Sequence, residues 1–374
     1  MKIAHIATLV SPDGAYGGPL RVAINELTAL RELGHDVRLF AMNRGYIGQP
    51  NEFSGVPLTS RSAKDVFPSL GYAGLMSPAL LWEFRERVSD YDVIHVHLAR
   101  DMLTLPAARI ALSKHVPIVL QTHGMIDRST KLLAKPVDAL LTRYVLRRAA
   151  RVLYLTEQER TDVKRIGGEC IHLTHLPNGV PSPPVENGGL PRQLEVLFLG
   201  RLHPIKRPRA FVAAARVLVE RYPDVRFSLV GPDEGEGKAV DQDILESGSH
   251  QIVWEGSLSP EKTLERMRRA SIFVLPSVTD VFPMSLLEAA SCGLPSVVTV
   301  DCGLSQTVER WSAGVVVDDS IDSLVNAIDH LLDDAEFRRE ASENALDMVR
   351  SEFSMASVAG QLQEIYRNSV VNGC

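Results

Sequence analysis

The sequence predicts an α/β protein in which two doubly wound parallel-sheet domains follow one another. Short apolar runs typical of buried strands alternate with helical patterns in both halves of the chain. This pattern begins again after a stretch rich in Pro, Gly and Asn, and 374 residues are enough for two domains. Alternating strands and helices favour a parallel sheet, because each crossover helix returns the chain to the same end of the sheet.

The first predicted domain, residues 1–178, contains strand-like runs with helical stretches between most of them. Apolar residues recur at helical spacing along 21–33, and Gly34 marks the end of that helix. Ligands of doubly wound sheets bind beyond the carboxyl ends of the strands, so residues directly after each strand are candidates for a site. The predicted strands are 3–10, 36–42, 93–97, 117–121 and 152–156.

The second predicted domain, residues 194–374, follows a linker predicted at 179–193 and repeats the same organisation. A helix is predicted at 208–221, and the last helix of the chain is a candidate to cross back onto the first domain. The predicted strands are 195–199, 226–230, 251–254, 272–275 and 296–300.

Composition is typical of a globular protein, with 45% apolar and 23% charged residues. The cysteines show no C-x-x-C spacing, which argues against a disulfide framework or a cysteine zinc site and suits a reducing cytosol. The apolar run 3–10 is short and lacks a cleavage pattern, so it predicts a buried strand rather than a signal peptide. No run approaches the roughly 20 apolar residues of a membrane span. The four cysteines are Cys170, Cys292, Cys302 and Cys374.

The net charge of −6 combines a basic first half with an acidic second half. Unless the uneven charge is chance scatter, one half of the chain is expected to meet an anionic surface.

Positive charge concentrates at 128–151, around an amphipathic helix predicted at 136–148. Most of its apolar stripe is expected in the core, and its basic side would meet anionic lipid headgroups, each charge contributing about 1 kcal/mol. Nucleic acid is not expected, because no aromatic residues are interleaved to stack on bases. The stripe is Val137, Leu140, Leu141, Tyr144 and Val145, and the basic residues are Arg128, Lys131, Lys135, Arg143, Arg147, Arg148 and Arg151.

The segment after strand 272–275 predicts a phosphate site at a helix N-terminus. A loop leads to Pro283, and good helix formers follow from there. The free N–H groups and partial positive charge of a helix start suit a phosphate. Asp280 in the loop and Glu288 on the helix add carboxylates that accept hydrogen bonds from sugar hydroxyls. The alternative interpretation is a surface loop with a solvated Glu288.

Two basic residues, Arg201 and Lys206, follow strand 195–199 in a loop that contains proline. Arginine offers a planar fork of donors and lysine a point charge, so the two side chains are candidates to converge on a diphosphate. An ordinary exposed basic loop is the alternative.

Glycines and a histidine follow two strands of the first domain. The loop from Gly14 to Pro19 would let a backbone approach a ligand closely, although a plain turn explains it equally. His123 directly follows strand 117–121, and Gly124 leaves room beside it. A structural hydrogen-bonding role is the alternative for this histidine.

Two further features are given structural interpretations. His95 and His97 flank Val96 on a strand, and we expect their rings to face opposite ways and not to share a ligand. The D-x-D sequence at 241–243 lies in a polar stretch with helical character, so we expect a solvated helix face and no catalytic metal there.

Four of these segments, in this order, resemble the family 4 retaining glycosyltransferases of the GT-B fold, in which two doubly wound domains face a central cleft. The resemblance covers most of the chain, from Gly17 to Pro295. One departure is Asp280, where the family pattern of Glu, seven residues and Glu has its first Glu. The matches are Gly17, Gly18 and Arg21 to Gly-Gly-x-x-Arg, His123 to Thr-x-His-Gly, Arg201 and Lys206 to Gly-Arg-x-x-x-x-Lys, and Glu288, Cys292, Gly293 and Pro295 to the second Glu and its Cys-Gly-x-Pro tail.

The resemblance implies a role for each matched residue. Arg201 and Lys206 would clamp the donor diphosphate, Asp280 would approach the donor sugar, and Glu288 would hold the ribose. The remaining implied donor contacts are Gly17, Gly18, Pro283, Met284, Ser285 and Leu286, the acceptor-side residues are Gly18, Arg21 and His123, and the catalytic group comprises His123, Arg201, Lys206 and Asp280.

The function implied is a retaining, metal-independent hexosyltransferase. It would move a sugar from a nucleotide-diphosphate sugar, with UDP favoured over GDP, to a hydroxyl acceptor bound by the first domain. The family builds bacterial polysaccharides, glycolipids and small glycoconjugates. The resemblance therefore implies a cytoplasmic enzyme, with a lipid-linked acceptor at the inner membrane face as one option. It implies no cofactor. Two alternatives stay open: a non-catalytic nucleotide-sugar binder, because of Asp280, and an NAD-dependent oxidoreductase, although G-x-G-x-x-G is missing.

Overall fold

The computed structural model describes residues 1–12, 17–127, 134–181 and 193–371. The chain divides into two compact units: the first is Met1–Gly179 with Met355–Cys374, and the second is Val180–Ser354. Most of the predicted linker 179–193 and the glycine loop at 14–16 lie outside the described residues, as do Arg128, Lys131 and Cys374.

The first unit contains an eight-stranded sheet with the order β10-β9-β8-β7-β1-β2-β4-β3. All neighbouring strands are parallel except the short pair β3–β4. A separate antiparallel pair is formed by β5 and β6. The strands are β1 (Lys2–Val10), β2 (Asp36–Asn43), β3 (Glu52–Phe53), β4 (Val56–Ser62), β5 (Lys64–Asp65), β6 (Leu75–Met76), β7 (Val93–His97), β8 (Ile118–Gln121), β9 (Arg151–Tyr154) and β10 (Leu173–His175).

Helices cover both faces of this sheet, which is why its strands are almost continuously apolar. Side chains that alternate along β1, such as Ile3 and Ala4, enter different apolar clusters on the two faces. One cluster includes α1 and α14, and the other includes α2, α3, α5 and α6. The helices of this unit are α1 (Gly17–Glu32), α2 (Pro78–Arg87), α3 (Thr104–Ser113), α4 (Ala134–Val137), α5 (Arg143–Arg148), α6 (Glu157–Gly167) and α14 (Met355–Val371), with a π-helical turn at Asp138–Thr142 and 3₁₀ turns at Pro68–Gly74 and Val88–Asp90.

The second unit contains a six-stranded, entirely parallel sheet with the order β13-β12-β11-β14-β15-β16. Its apolar core forms one continuous cluster. The strands are β11 (Glu195–Leu199), β12 (Arg226–Val230), β13 (Ile252–Trp254), β14 (Ile272–Leu275), β15 (Ser296–Thr299) and β16 (Gly314–Val317). The helices are α7 (Pro208–Leu218), α8 (Gly237–Ser247), α9 (Pro260–Met267), α10 (Met284–Ser291), α11 (Ser305–Trp311), α12 (Ile321–Asp333) and α13 (Ala335–Glu352), with a 3₁₀ turn at Pro204–Lys206.

Each sheet has one point at which the strand order reverses direction. In the first unit this point lies between β1 and β7, and in the second it lies between β11 and β14. Loops that leave the two strands in opposite directions open a crevice there, which is where doubly wound sheets bind ligands. In the first unit, Thr8 Oγ1 donates to Asp101 Oδ2 at 2.5 Å, so β1 and the loop after β7 are joined at this point.

The predicted α/β class with two doubly wound parallel sheets is confirmed. Most of the stripe predicted along 136–148 lies in the core as expected: Val145 is fully buried, and Val137 and Leu141 are partly buried against the same cluster. Leu140, however, is 72% exposed and Tyr144 is 36% exposed. A π-helical turn at Asp138–Thr142 interrupts the helix, so the regular spacing that placed these residues on one face does not hold. Among the described helices, none is both long enough and apolar enough to cross a bilayer.

Candidate functional site

The loops after β11 and β14 meet at the reversal point of the second sheet. The backbone N–H of Val278 donates to the carbonyl of Ile205 at 2.9 Å. Beside this contact, Lys206 Nζ forms an ion pair with Asp280 Oδ2. The two side chains are only 14% and 16% exposed, so the pair is largely removed from solvent. The sequence placed these residues at strand ends, and the strand order brings them together.

Backbone strain marks both sides of this ion pair. Arg207 and Thr279, the chain neighbours of Lys206 and Asp280, have φ of 53° and 58°. Left-handed backbone is unusual for any residue other than glycine and a clear outlier for β-branched threonine. Such strain persists only where the surrounding structure enforces it, and it concentrates at functional sites.

The loop after β15 holds the Asp280 segment in place. Gly303 donates its N–H to the carbonyl of Asp280 at 2.8 Å, and Thr299 Oγ1 donates to the carbonyl of Ser277. A Cβ atom at Gly303 would lie 1.8 Å from the carbonyl oxygen of Val281, so only glycine permits this approach. Nothing in the local sequence marks Gly303 as special.

Arg201 has a carboxylate partner of its own. Its guanidinium, with the side chain 52% exposed, donates to Glu234 Oε2 at 2.7 Å. The loop after β12, which carries Glu234, can approach the loop after β11 because residue 231 is glycine. A Cβ atom there would lie 1.9 Å from the carbonyl oxygen of Gly200. Arg201 and Lys206 are therefore each paired with a carboxylate in this structure. Glu234 was not predicted, since nothing marks it apart from its position after a strand.

Helix α10 begins beside Asp280 with an open N-terminus. Pro283 is the N-cap residue, provides no side-chain cap, and no acidic residue lies in the first turn. The N–H of Leu286 donates to the carbonyl of Pro283 at 3.1 Å, while the Leu286 side chain is fully buried. A helix start without an acidic side chain keeps its partial positive charge for an external anion. Met284 and Ser285, on the same first turn, are partly exposed.

Glu288 and the Cys-Gly-x-Pro tail lie deeper in the fold. Glu288 lies on the second turn of α10 and is only 5% exposed, so the alternative interpretation of a solvated Glu288 is wrong. Gly293 ends the helix with φ of 75°, and its carbonyl accepts from Ser342 Oγ at 2.5 Å. This glycine therefore has a structural explanation in the turn between α10 and β15.

In the first unit, His123 follows β8 in left-handed backbone with φ of 49°, directly before Gly124 with φ of 72°. A buried carboxylate fixes this turn. Glu159 Oε1 accepts from Thr122 Oγ1 at 2.5 Å and from the N–H of Gly124 at 2.6 Å, and its Oε2 accepts from the N–H of Leu155 at 2.6 Å. Glu159 was not predicted, although the Thr-x-x-Glu pattern that starts α6 indicates a capping role.

His123 is also the outer end of a chain of histidines. Its Nε2 lies 2.8 Å from His97 Nδ1, and His97 Nε2 lies 3.1 Å from His5 Nδ1. The expectation that His95 and His97 face opposite ways is wrong: their rings stack at 4.7 Å with an interplanar angle of 9°. Residues two apart on a strand share a face, and only adjacent residues alternate. Burial lowers the pKa of His123 to about 3 and holds the pKa values of the other three well below the ordinary histidine value, so all four rings are neutral at pH 7.

The remaining predicted residues lie at the edges of these loops. Gly17 and Gly18 begin α1, and a Cβ atom at Gly18 would meet nothing within 4 Å. Packing within the chain therefore does not require glycine at position 18, and the space beside the backbone there is open. Arg21 is half-buried on the second turn of the same helix. The D-x-D at 241–243 lies on α8 as expected, with Asp243 paired to Arg209 at 2.6 Å.

Two family models match the chain, one on each half. The model for glycosyl transferases group 1 matches residues 186–348. The model for a glycosyl transferase 4-like domain matches residues 17–179. The loops described above belong to the matched regions.

Similar proteins extend over nearly the whole chain. A D-inositol 3-phosphate glycosyltransferase from Paenarthrobacter aurescens is 31% identical, over 98% of this chain and 97% of the relative. The UDP-Gal:alpha-D-GlcNAc-diphosphoundecaprenol alpha-1,3-galactosyltransferase of Escherichia coli is 25% identical, over 100% of this chain and 98% of the relative. Among solved structures, sucrose-phosphate synthase from Thermosynechococcus elongatus has a TM-score of 0.76 at 20% identity, covering 99% of both chains. HepE from Anabaena, in complex with UDP and glucose, has a TM-score of 0.76 at 20% identity, covering 97% of this chain and 98% of HepE.

Proposed function

Because the chain belongs to the family 4 glycosyltransferases of the GT-B fold, which transfer a sugar from a nucleotide-diphosphate donor, we propose that the loops after β11 and β14 and the start of α10 form its donor site. The observation that carries this proposal is the Lys206–Asp280 ion pair at the reversal point of the second sheet. Family membership removes the two alternatives of a non-catalytic binder and an NAD-dependent oxidoreductase.

The donor diphosphate replaces the carboxylates as the partner of Lys206 and Arg201. A lysine that is 14% exposed needs an anionic partner, and in this structure Asp280 provides it. When a diphosphate binds, Lys206 turns to the phosphate oxygens, and Arg201 exchanges Glu234 for the same group. Asp280 is thereby released to accept hydrogen bonds from hydroxyls of the donor sugar.

Other residues hold the rest of the donor. The N–H groups at the start of α10, near Met284 and Ser285, face the phosphates, while the Leu286 side chain packs in the core and only its backbone takes part. Glu288 accepts hydrogen bonds from the ribose hydroxyls. The open space beside Gly18 leaves room for a phosphate or an acceptor near Gly17 and Gly18, with Arg21 on the acceptor side.

The reaction retains the anomeric configuration through a front-face displacement. The bond between the sugar and the diphosphate breaks as the acceptor oxygen arrives on the same face, and the acceptor proton passes to the departing phosphate oxygen. Stabilisation of the leaving diphosphate by Lys206, Arg201 and the start of α10 is the main contribution to catalysis, because these charges are already in place before the reaction. Within the first unit His123 is neutral and its turn is fixed by Glu159, which suits the role of a hydrogen-bonding partner for the sugar that the family resemblance implies.

The donor nucleotide is UDP. Support comes from the E. coli relative, which is named for a UDP-galactose donor, and from HepE, solved with UDP and glucose. A thermal-shift screen of UDP- and GDP-sugars tests this, since a bound donor raises the melting temperature by mass action. Turnover of the best donor without acceptor, and the anomeric configuration of the product by NMR, test donor use and retention. Stabilisation by GDP-sugars alone would contradict the UDP assignment, and an inverted product would contradict retention.

The acceptor is a hydroxyl of a lipid-linked sugar at the cytoplasmic face of the membrane. The E. coli relative is named for a diphosphoundecaprenol-linked acceptor. The surface around α5 supports the same location, because Leu140 and Tyr144 are exposed among arginines. Arg109 and Arg148 stack on the Tyr144 ring at 5.0 and 4.6 Å, and Arg143 and Arg147 are exposed nearby. An apolar tip ringed by cations fits an anionic lipid surface.

Vesicle sedimentation tests the membrane contact. The wild-type chain is expected to sediment with vesicles containing anionic lipid and to stay in solution with vesicles of neutral phosphatidylcholine. Leu140→Ser combined with Arg148→Ser should reduce sedimentation, whereas Leu245→Ser, at an equally exposed position of the second unit, should not. Equal binding by both variants would place the membrane contact elsewhere.

A further inference from the structure

A fully buried cluster of potential metal ligands lies under the sheet of the first unit. It consists of His5 on β1, Glu26 on α1, and His95 and His97 on β7, none of them more than 1% exposed. One ligand atom from each residue lies within 4.8 Å of those of the other three. The fold explains the meeting: His5 pairs with His95 in register, His97 follows on the same face, and α1 packs over that face.

The distances from Glu26 to the three histidines fit metal ligands better than hydrogen-bonding partners, while His5 Nδ1 and His97 Nε2 lie 3.1 Å apart. Glu26 Oε2 lies 3.7 Å from His5 Nδ1, 3.8 Å from His95 Nδ1 and 3.9 Å from His97 Nε2. These separations are too long for hydrogen bonds. In a tetrahedral zinc site, with metal–ligand bonds of 2.0–2.1 Å, ligand atoms lie about 3.3 Å from one another. The Glu26 distances exceed this spacing by about half an ångström, and all four ligand atoms lie within 4.8 Å of one another, so binding a metal would draw the side chains inward.

Unsatisfied polar atoms point to a missing ligand. Neither carboxylate oxygen of Glu26 has a partner within hydrogen-bonding distance and angle among the residues that the structure describes, although the Gln121 side chain lies beside it. A buried carboxylate without a partner is costly, so it must carry a proton or meet a cation. Three neutral imidazoles around the carboxylate are the donor set that zinc and neighbouring transition metals prefer.

The outer nitrogens of two of the histidines are already held. His5 Nε2 lies 2.9 Å from the Tyr366 hydroxyl, and His97 Nδ1 lies 2.8 Å from His123 Nε2. Metal-ligating histidines usually have their second nitrogen fixed in this way, which orients the first towards the metal. The same hydroxyl lies 2.6 Å from His95 Nδ1, so His95 would exchange this contact for the metal.

We propose that His5, Glu26, His95 and His97 form a structural site for one divalent transition metal of the zinc class. Four protein ligands and complete burial leave no position for substrate, so the metal would not take part in sugar transfer. Its effect would be on folding, because it joins α1 to β1 and β7 and, through Tyr366, to α14. The site is distinct from the donor site, and its occupancy does not depend on the proposed function.

Metal content tests the proposal directly. The full chain is expressed in zinc-supplemented medium, purified without chelator, and analysed by elemental mass spectrometry. We expect about one zinc per chain that resists dialysis against EDTA while the protein is folded and is released when the protein is unfolded in denaturant. Refolding with Co²⁺ alone should give the intense visible absorption of tetrahedral cobalt. Folded wild-type chain that takes up neither metal would overturn the proposal and assign a proton to Glu26 instead.

Variants locate the metal within the chain. Glu26→Gln keeps the shape of the side chain but removes the anionic ligand, and is expected to lose most of the zinc. His250→Asn, an exposed histidine of the second unit, is the control and should keep it. Full zinc content in folded Glu26→Gln would place the metal elsewhere and overturn the assignment. If Glu26→Gln does not fold, the cobalt spectrum of the wild-type chain still decides between imidazole ligation and none.

Discussion

Lys206 and Asp280 form an ion pair across the reversal point of the second sheet, joining a loop that follows β11 to a loop that follows β14. The neighbouring residues Arg207 and Thr279 adopt strained left-handed backbone, so the pair is fixed from both sides. Asp280 stands where the family pattern has a glutamate, and its shorter side chain reaches Lys206 directly. The proposed mode of donor binding separates the two charges, and the roles proposed for them can be measured independently.

Asp280→Ala should lower turnover by about 10² or more, on the scale of losing one preorganised polar group at the reacting centre. Affinity for the nucleoside diphosphate should stay the same or increase, because Lys206 no longer has a competing partner. Titration calorimetry with UDP measures this affinity. Glu288→Ala is the comparison and should weaken UDP binding itself. Equal losses of UDP affinity in both variants would show that Asp280 belongs to the structure of its loop.

Arg201→Ala should reduce the transfer rate by about 10² through loss of a charge that stabilises the leaving diphosphate. Steady-state kinetics at saturating donor measures the change. Arg209→Ala is a matched control, since Arg209 is 54% exposed compared with 52% for Arg201 and also pairs with a carboxylate. Equal activity of the two variants would remove Arg201 from the donor site.

Glu159→Ala should lower both stability and turnover, because three donors, two of them in the turn that carries His123, lose their acceptor. Each buried donor left without a partner costs about 1–3 kcal/mol. Glu157→Ala is the control: its side chain is 73% exposed two positions earlier on α6. Urea denaturation together with turnover gives the comparison, and a Glu159→Ala variant as stable and active as Glu157→Ala would contradict the positioning role.

Arg266→Met should destabilise the second unit by about 1.5–3 kcal/mol, since it removes the more buried of the two guanidinium groups that pair with Glu195 and Glu255 and leaves only Arg226. Glu195 begins β11, the strand that leads to Arg201. Urea denaturation followed by tryptophan fluorescence measures the loss. Arg269→Met, which removes an exposed pair on the next turn, should change stability by less than about 1 kcal/mol.

The same network predicts a pH dependence. Hydrogen bonding to Arg266 lowers the pKa of Glu255 below its ordinary value of 4.5. A carboxyl whose folded pKa is depressed contributes stability above its unfolded pKa and loses it as the pH falls through the folded value. Wild-type stability should therefore decline below pH 4.5, and the decline should be smaller in Arg266→Met. Parallel pH profiles of the two proteins would contradict this assignment.

The sequence was sufficient for the fold class and for placing Arg201, Lys206 and Asp280 in loops that follow strands, because apolar runs and the residues after them are local features. It could not show that Lys206 pairs with Asp280, since this depends on β11 and β14 being neighbours although more than 70 residues separate them in the chain. Long-range strand pairing leaves no periodic signal in either segment.

Three further residues show where the sequence argument fails. His95 and His97 were misjudged by applying strand alternation to residues two apart, and the structure stacks them on one face. Glu159 carries a recognisable capping pattern, but its bonds to Thr122 and Gly124 join segments more than 30 residues apart. Such contacts follow from the packing of α6 beside β8 and have no local signature.

The central claim is that Lys206 binds the donor diphosphate at the reversal point of the second sheet. Titration calorimetry of Lys206→Met with UDP tests it most directly, with Lys238→Met, an exposed lysine of the same unit, as the control. We expect a loss of UDP affinity of about tenfold or more in Lys206→Met, in line with the 1.5–3 kcal/mol of a charged hydrogen bond, and none in the control. Wild-type UDP affinity in folded Lys206→Met would show that this lysine does not bind the donor diphosphate.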